Sequence, residues 1–390
     1  MTAAIAGLGC TDVGKVYGQS ASDFAAEAVR LAAADAGLTL NQIDGLLVTP
    51  GTQGRPTLSL QKQLGLRDLS LLSEVHALGA SPAAMLSMAA RAVESGAASA
   101  VACVFADAPL KPKGSARDAF GGGNRRIPAG FAGLHVANGA ITPNVFYAMA
   151  ARRHMETYGT TSEQLGAIAV GQRAWAGMNP DAQFTAPITL ADHQASPMVA
   201  DPFHLLDCCV VSNGGAAVIV TSAERARDLA QPAIHILASA QAHPGQVMAR
   251  GSQFGLVTGA AQSGPEAMRR AGITPGDVDL LELYDSYTYT VLVTLEDYGF
   301  CAKGEGGDFV ADGRLAPGGS LPCNTGGGQL SSYYLTAFTP IIEAVVQGRG
   351  HAGERQVADR DVIVVSGSGG VLEHHSTLVL SPNAPEGVVG

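Results

Sequence analysis

The stretch Ser263–Asp285, SGPEAMRRAGITPGDVDLLELYD, decides the fold once it is set beside Ser22–Gly51, SDFAAEAVRLAAADAGLTLNQIDGLLVTPG. Each begins as an Ala-rich amphipathic segment that stops at Ala-Gly, Ala36-Gly37 in one and Ala271-Gly272 in the other. A glycine there suits a left-handed helix C-cap. Leu38-Thr39 or Ile273-Thr274 follows, then a short acidic link ending in Ile43-Asp44 or Val278-Asp279, then an apolar strand. The strand lacks polar alternation, which predicts burial on both faces, as in a parallel sheet under helices. Meeting this unit twice, about 240 residues apart, predicts two related halves.

The remaining pattern agrees. SPAAMLSMAARAVESGAASAVACVFAD predicts a helix over Ser81–Ser95 and a strand over Ala100–Ala106. GGAAVIVTSAERARDL predicts a strand over Ala216–Val220 and a helix after Ser222. DVIVVSGSGGVLEHHSTLVLS reads as two adjacent strands joined through a Gly-rich turn. Residues 107–205 fit neither half and are too long for a simple connection, with helical stretches such as Tyr147–Tyr158. They are read as an inserted loop domain. The expected organisation is an N-terminal half over 1–235, including the loop domain at about 107–205, and a C-terminal half over 236–390.

Composition bounds the function. A chain of 390 residues with 46% hydrophobic and 15% charged residues fits a packed α/β enzyme. A net charge of -10 offers nucleic acid no basic surface. Every apolar run is soon broken by Gly, Pro or a charge, so no membrane span is expected. The N-terminus MTAAIAGLGCTDVGK lacks the pattern of a signal peptide. The six cysteines are scattered without a CxxC pair, which argues against a zinc or redox site and for a reduced, cytoplasmic chain. In Asp207-Cys208-Cys209, packing at the entry to a strand is the favoured reading over a reactive thiol.

Tyrosine is unevenly placed. Six of nine lie between Tyr284 and Tyr334, in LLELYDSYTYT (Leu280–Thr290), at Tyr298 and in GGGQLSSYYL (Gly326–Leu335). The segments SEVHALGASPAAML, DCCVVSNGGAAVIVTSAERA, LELYDSYT, LEDYGFCAKGEGGDF, LPCNTGGGQLSSYYL and VSGSGG, in this order, resemble the thiolase superfamily, and within it the sterol-carrier-protein-X-type thiolases. The resemblance covers nearly the whole chain. It implies an α/β thiolase fold, two related βαβαβαββ halves in a five-layered αβαβα arrangement with an inserted loop domain.

Such thiolases are similar to one another in using a nucleophilic Cys at the start of a buried helix, activated by the helix N-terminus and a His. By this resemblance His76 lies at the Cys position, and no Cys occurs between Cys10 and Cys103. Tyr334 stands where the family's His follows Asn-x-x-Gly-Gly, and Tyr284 where its other His precedes Asp. The second Cys position falls near Ser366 or Gly367. Without a thiolate, no acyl-enzyme forms by the usual route.

The chain most resembles thiolase-like steroid side-chain aldolases. That implies a retro-aldol lyase cleaving a β-hydroxyacyl-CoA, with Tyr284 and Tyr334 as the acid/base pair and no cofactor beyond the CoA thioester of the substrate. His76 is a further catalytic candidate, set against a packing reading. Asp285, Ser286, Asn324, Gly327, Gly328, Ser366 and Gly367 form the expected substrate-binding set. Asp285 reads equally as a cap on the next helix. The run Gly326–Gly328 is expected to offer backbone N–H groups near Tyr334. Tyr287 and Tyr289 read as packing, with Tyr333 as the alternative to Tyr334.

In GGGNRRIPAG, Arg125 and Arg126 read as a surface loop before a CoA-phosphate contact. His374 and His375 point to opposite strand faces, one towards the site and one into packing, and no metal is expected. The resemblance also implies a homodimer through the strand ASAVACVFAD and a small OB-fold, zinc-ribbon partner that helps to bind acyl-CoA. Two other functions remain open at this point: an acyltransferase using His76, and a non-catalytic lipid- or acyl-CoA-binding protein.

Overall fold

The computed structural model describes residues 2–51, 56–114, 119, 133–140, 142–245, 251 and 253–384. The strands are β1 (Ala3–Cys10), β2 (Gly45–Thr49), β3 (Leu71–Glu74), β4 (Ala100–Asp107), β5 (Met198–Ala200), β6 (Phe203–His204), β7 (Gly214–Ser222), β8 (Ile234–Ala242), β9 (Leu280–Glu282), β10 (Ile363–Gly369) and β11 (His374–Ser381). The helices that matter below are α1 (Ala21–Asp35), α2 (Leu60–Leu64), α3 (Ser81–Glu94), α4 (Pro143–Tyr158), α5 (Ser162–Ala176), α6 (Ala260–Ala271), α7 (Thr288–Tyr298) and α8 (Phe338–Gly348). Among the described residues no helix is long and apolar enough to cross a membrane.

Nine strands run in the order β3-β2-β4-β7-β1-β8-β11-β10-β9. The first five come from the first half and the last four from the second. The halves meet edge to edge where β1 and β8 pair at Ala4 with His235 and Ile5 with Ile234. Side chains of successive strand residues point to opposite faces, so each sheet half feeds two cores. Ala4, Leu46, Val48, Ala102 and Val104 pack under α1. Ile5, Leu47, Val101, Cys103 and Phe105 face inward, where α3 and α8 are shared with strands of the other half, among them Ile363 and Leu378. Helices α6 and α7 cover the remaining face of the second half, together with α4 and α5 of the insert. The result is helix, sheet, helix, sheet, helix: the thiolase fold.

The repeated sequence unit has a repeated physical role. Helix α1 opens on a Ser20–Asp23 capping box, and the chain turns at Gly37 with φ +72°. Helix α6 is followed by Gly272 with φ +73°. Thr39 and Thr274 then start one-turn helices by reciprocal bonding with Gln42 and Asp277. The aspartate at the end of each unit holds the start of the next parallel strand. Asp44 accepts the N–H groups of Ser99 (2.9 and 2.8 Å) and Ala100 (2.8 Å) before β4. Asp279 accepts that of Val362 (2.9 Å) before β10.

Two expectations change. The strand at Ala100–Asp107 was to be the dimer edge, but β4 is buried and paired on both sides, with β2 and β7. The sheet edges are β3 and β9. Among the described residues the second half has no full counterpart of β3: Cys323 bridges β9 in parallel, at Leu281. Pro322 precedes it and has no N–H to extend the ladder.

The carboxylate latches predict a ranked loss of stability. Asp44→Ala removes the partner of two strand-start donors, one of them exposed to water, and costs about 2 kcal/mol, against about 1 kcal/mol for Asp279→Ala. Scanning calorimetry should place the unfolding midpoint of Asp44→Ala below that of Asp279→Ala, and both below the parent.

Candidate active site

Strand β9 ends at Glu282, and the chain then presents Tyr284. The Tyr284 N–H donates to Ser366 Oγ on β10 (2.8 Å), which fixes the backbone as it leaves the sheet. The phenol lies over the turn that precedes α3. A Cβ on Gly79 would stand 2.4 Å from the Tyr284 hydroxyl oxygen and 2.2 Å from the Ser368 carbonyl oxygen, so only glycine fits. Leu78, beside it, is held at φ +53°, a left-handed conformation that non-glycine residues rarely adopt.

The second phenol arrives on the segment after Cys323. Asn324 sits at φ +54°, and its Oδ1 accepts the Leu283 N–H (2.7 Å), tying this segment to the end of β9. The chain then makes a π-helical turn, Gly328–Ser332. Asp285 accepts the N–H of Gln329 on both oxygens (2.9 and 2.8 Å) and that of Leu330 (3.2 Å). The glycines answer to sterics: a Cβ on Gly328 would lie 2.1 Å from Asp285 Oδ2, and one on Gly327 2.5 Å from Ala176 Cβ at the end of α5. Tyr334 follows, its N–H bonded to Ser212 Oγ (2.9 Å), which also receives Gln183 Nε2 (2.8 Å). The hydroxyls of Tyr284 and Tyr334 share a hydrogen bond of 2.9 Å, with ring centroids 6.5 Å apart and planes at 72°.

Electrostatics keep both phenols neutral. Burial raises the Tyr284 pKa well above the usual value, and the neighbouring Tyr334 adds to the rise. Burial raises Tyr334 too, against a smaller lowering by its bond to Tyr284. Asp285 is pushed up to about 7 by burial, opposed by the N–H groups of the turn. Burial also raises all six thiols, and Cys209, beside this cluster, is pushed up to about 12 by burial and by Asp285. A thiol so raised is a poor nucleophile at neutral pH.

The other expected residues fall as follows. His76 is exposed, three residues before Gly79, and it is Gly79 that touches Tyr284. Ser366 supports the Tyr284 backbone. Gly367 gives β10 its close approach to Ala80, whose Cα would lie 3.1 Å from an added Cβ. Ser286 is buried, and its carbonyl accepts the Cys209 N–H (3.0 Å). Asp285 caps the Gly turn and not the following helix α7. Tyr333 turns into the central core. Tyr287 stacks on Phe203 (5.0 Å, 11°) and bonds Asn144, while the Tyr289 hydroxyl donates to the Gly255 carbonyl.

His375 is buried against Tyr298 and bonds Ser263 (2.7 Å), whereas the His374 ring packs on His243 (5.1 Å). Among the described residues no three His, Cys, Asp or Glu side chains are grouped to hold a metal. Arg125 and Arg126 lie outside the described residues. Gly79, Ser212 and Tyr147 escaped the sequence reading as site residues. Tyr147 reaches the Gly370 carbonyl (2.5 Å) from the insert, and none of the three carries a spacing signal.

Comparison with known proteins follows this geometry. Residues 240–382 match the family described as Thiolase C-terminal domain-like. A steroid side-chain-cleaving aldolase of Thermomonospora curvata is 39% identical over 376 residues, covering 94% of this chain and 95% of the relative. A 17-hydroxy-3-oxo-4-pregnene-20-carboxyl-CoA lyase of Mycobacterium tuberculosis is 38% identical over 379 residues, 94% and 96% of the two chains. The solved Ltp2-ChsH2(DUF35) aldolase superposes with a TM-score of 0.86 at 38% identity, over 97% of each chain. These relatives and the fold define a carbon–carbon lyase built on the thiolase scaffold. The chain belongs to the thiolase superfamily, in the branch of thiolase-like aldolases that includes these relatives.

The Gly79 contact is testable. Gly79→Ala should displace the Tyr284 phenol and cut turnover at least about tenfold, because a misplacement of about 1 Å is already costly. A crystal structure of the variant should show the two hydroxyls beyond hydrogen-bond distance.

Proposed function

We propose that this protein cleaves a β-hydroxyacyl-CoA by a retro-aldol reaction in which Tyr284 and Tyr334 relay a proton from the substrate oxygen to its α-carbon. The observation that carries this reading is the 2.9 Å bond between a buried phenol, Tyr284, and a half-buried one, Tyr334, each fixed by its own backbone bond to a serine. The lyase names of the relatives support it, and one of those names holds both a hydroxyl and a CoA thioester. By that likeness we assign the substrate to the bulky, steroid-bearing acyl-CoA thioesters.

The chemistry suits neutral phenols. One phenol takes the β-hydroxyl proton while handing its own to the second. The bond between the α- and β-carbons breaks, its electron pair passes into the thioester as an enolate, and the β-carbon becomes a carbonyl. The second phenol gives its own proton to the α-carbon as it receives that of the first, so that neither oxygen ever holds two protons. Both phenols end neutral, and the products are a carbonyl compound and a shortened acyl-CoA. No resting phenolate is needed, which matters because burial disfavours one. The steps call on no cofactor and no covalent intermediate.

Acyl transfer from His76 has less to support it, since that side chain is exposed and it is Gly79 that touches Tyr284. Two partners complete the reading. A small OB-fold, zinc-ribbon protein is proposed from the resemblance and from the two-component name of the solved relative. Full turnover by the chain purified alone would remove it. A homodimer is proposed through β3, which has a neighbour on one side only and exposes Leu72. An exposed edge strand is a ready template for a second chain.

Tyr284→Phe and Tyr334→Phe should each lower kcat by about 10²- to 10⁴-fold, the span of general acid–base catalysis, with the oligomeric state unchanged by sedimentation. The pH profile gives a second check. Raised phenol pKa values keep the working neutral forms intact, so kcat should stay level between pH 8 and 10, above the range in which Asp285 titrates. A tenfold rise per pH unit over that range would mean a phenolate base and would count against the relay.

A further inference from the structure

We infer that Asp285 is a positioning residue for Tyr334: its carboxylate sets the turn that delivers the second phenol to the first. This rests on the pair's proposed role. Asp285 directly follows Tyr284, so one backbone step links the carboxylate to the first phenol. The carboxylate is fully buried. It accepts Gln329 N–H at 2.9 and 2.8 Å and Leu330 N–H at 3.2 Å, and both donors belong to the turn preceding Tyr334. The N–H groups of the turn favour the ionised form of Asp285, and bonds to that form are stronger than those between neutral groups.

The turn is shaped around this carboxylate. Gly328 sits at φ +57°, and any Cβ there would be 2.1 Å from Asp285 Oδ2. Gln329 extends the hold past the phenol, since its Nε2 donates to the Thr336 carbonyl (2.7 Å). Thr336 is a β-branched residue at φ +54°, a conformation that persists only when its surroundings impose it. From the insert, Asn179 Nδ2 holds the Gly326 carbonyl (2.8 Å) and Arg173 Nε holds Ser331 Oγ (2.8 Å). These bonds grip the turn from its other side, whereas Asp285 alone ties it to the residue beside Tyr284.

Asparagine at 285 keeps the shape but turns an amide group towards backbone donors. Asp285→Asn should therefore lower kcat about 10- to 100-fold, with KM changed less than threefold, because the carboxylate acts on Tyr334 and not on substrate. The decisive test is a double-mutant cycle with Tyr334→Phe. Asp285→Asn should cost less than threefold more once the Tyr334 hydroxyl is gone. An equal loss in both backgrounds, or no loss in either, overturns the inference.

Hydrogen exchange by mass spectrometry gives a readout independent of turnover. The peptide 327–333 should exchange faster in Asp285→Asn while peptides of β4 and β7 stay protected, and unchanged exchange at 327–333 overturns the inference. If the parent cleaves no acyl-CoA at all, the functional reading fails, yet the exchange measurement still decides on the latch. If Asp285→Asn does not fold, Gly328→Ala, which drives a methyl group onto the carboxylate, takes its place with the same expected outcomes.

Discussion

One hydrogen bond, between the hydroxyls of Tyr284 and Tyr334, joins two chain segments fifty residues apart. Everything local serves that approach. Ser366 and Ser212 fix the backbones, Gly79 clears space for one ring, and Asp285 shapes the turn that carries the other. The strained residues Leu78, Asn324 and Thr336 lie on the same segments. Such conformations cost free energy and survive where packing imposes them, as at a site built for chemistry.

Burial decides which chemistry the site can run. It holds both phenols neutral, and it does the same to the thiols. In the turn before α3 the chain has a glycine that a phenol lies across. A nucleophile would need a charged form stabilised against burial. A relay between neutral phenols needs no resting charge. The site is thus better suited to moving a proton than to holding an acyl group. Beneath the turn lie further acids: Glu282, raised by burial and by Glu343, and Glu343 paired with Arg355.

Much of this was legible in the chain. The duplicated Ala-Gly, Thr and Asp spacing foretold two halves, and its physical meaning is the pair of latches at Asp44 and Asp279. The Gly-rich hairpin near the end is β10 and β11. The dimer strand was misread because a buried, unalternated run looks the same at an edge and in the middle of a sheet. The contact of Gly79 with Tyr284 was not legible, because a glycine has no side chain to read.

From the sequence came the two halves of the scaffold, since local periodicity and residue type are properties of neighbours along the chain, while the missing nucleophile position and the two phenols to watch came from its resemblance to thiolases. The tertiary structure alone decided that the phenols touch, that Asp285 serves the Gly turn, and that the glycines are there for close approach. These depend on distances between segments far apart in sequence, and such distances are set by packing of the whole fold around α3 and α8, not by any one stretch of residues.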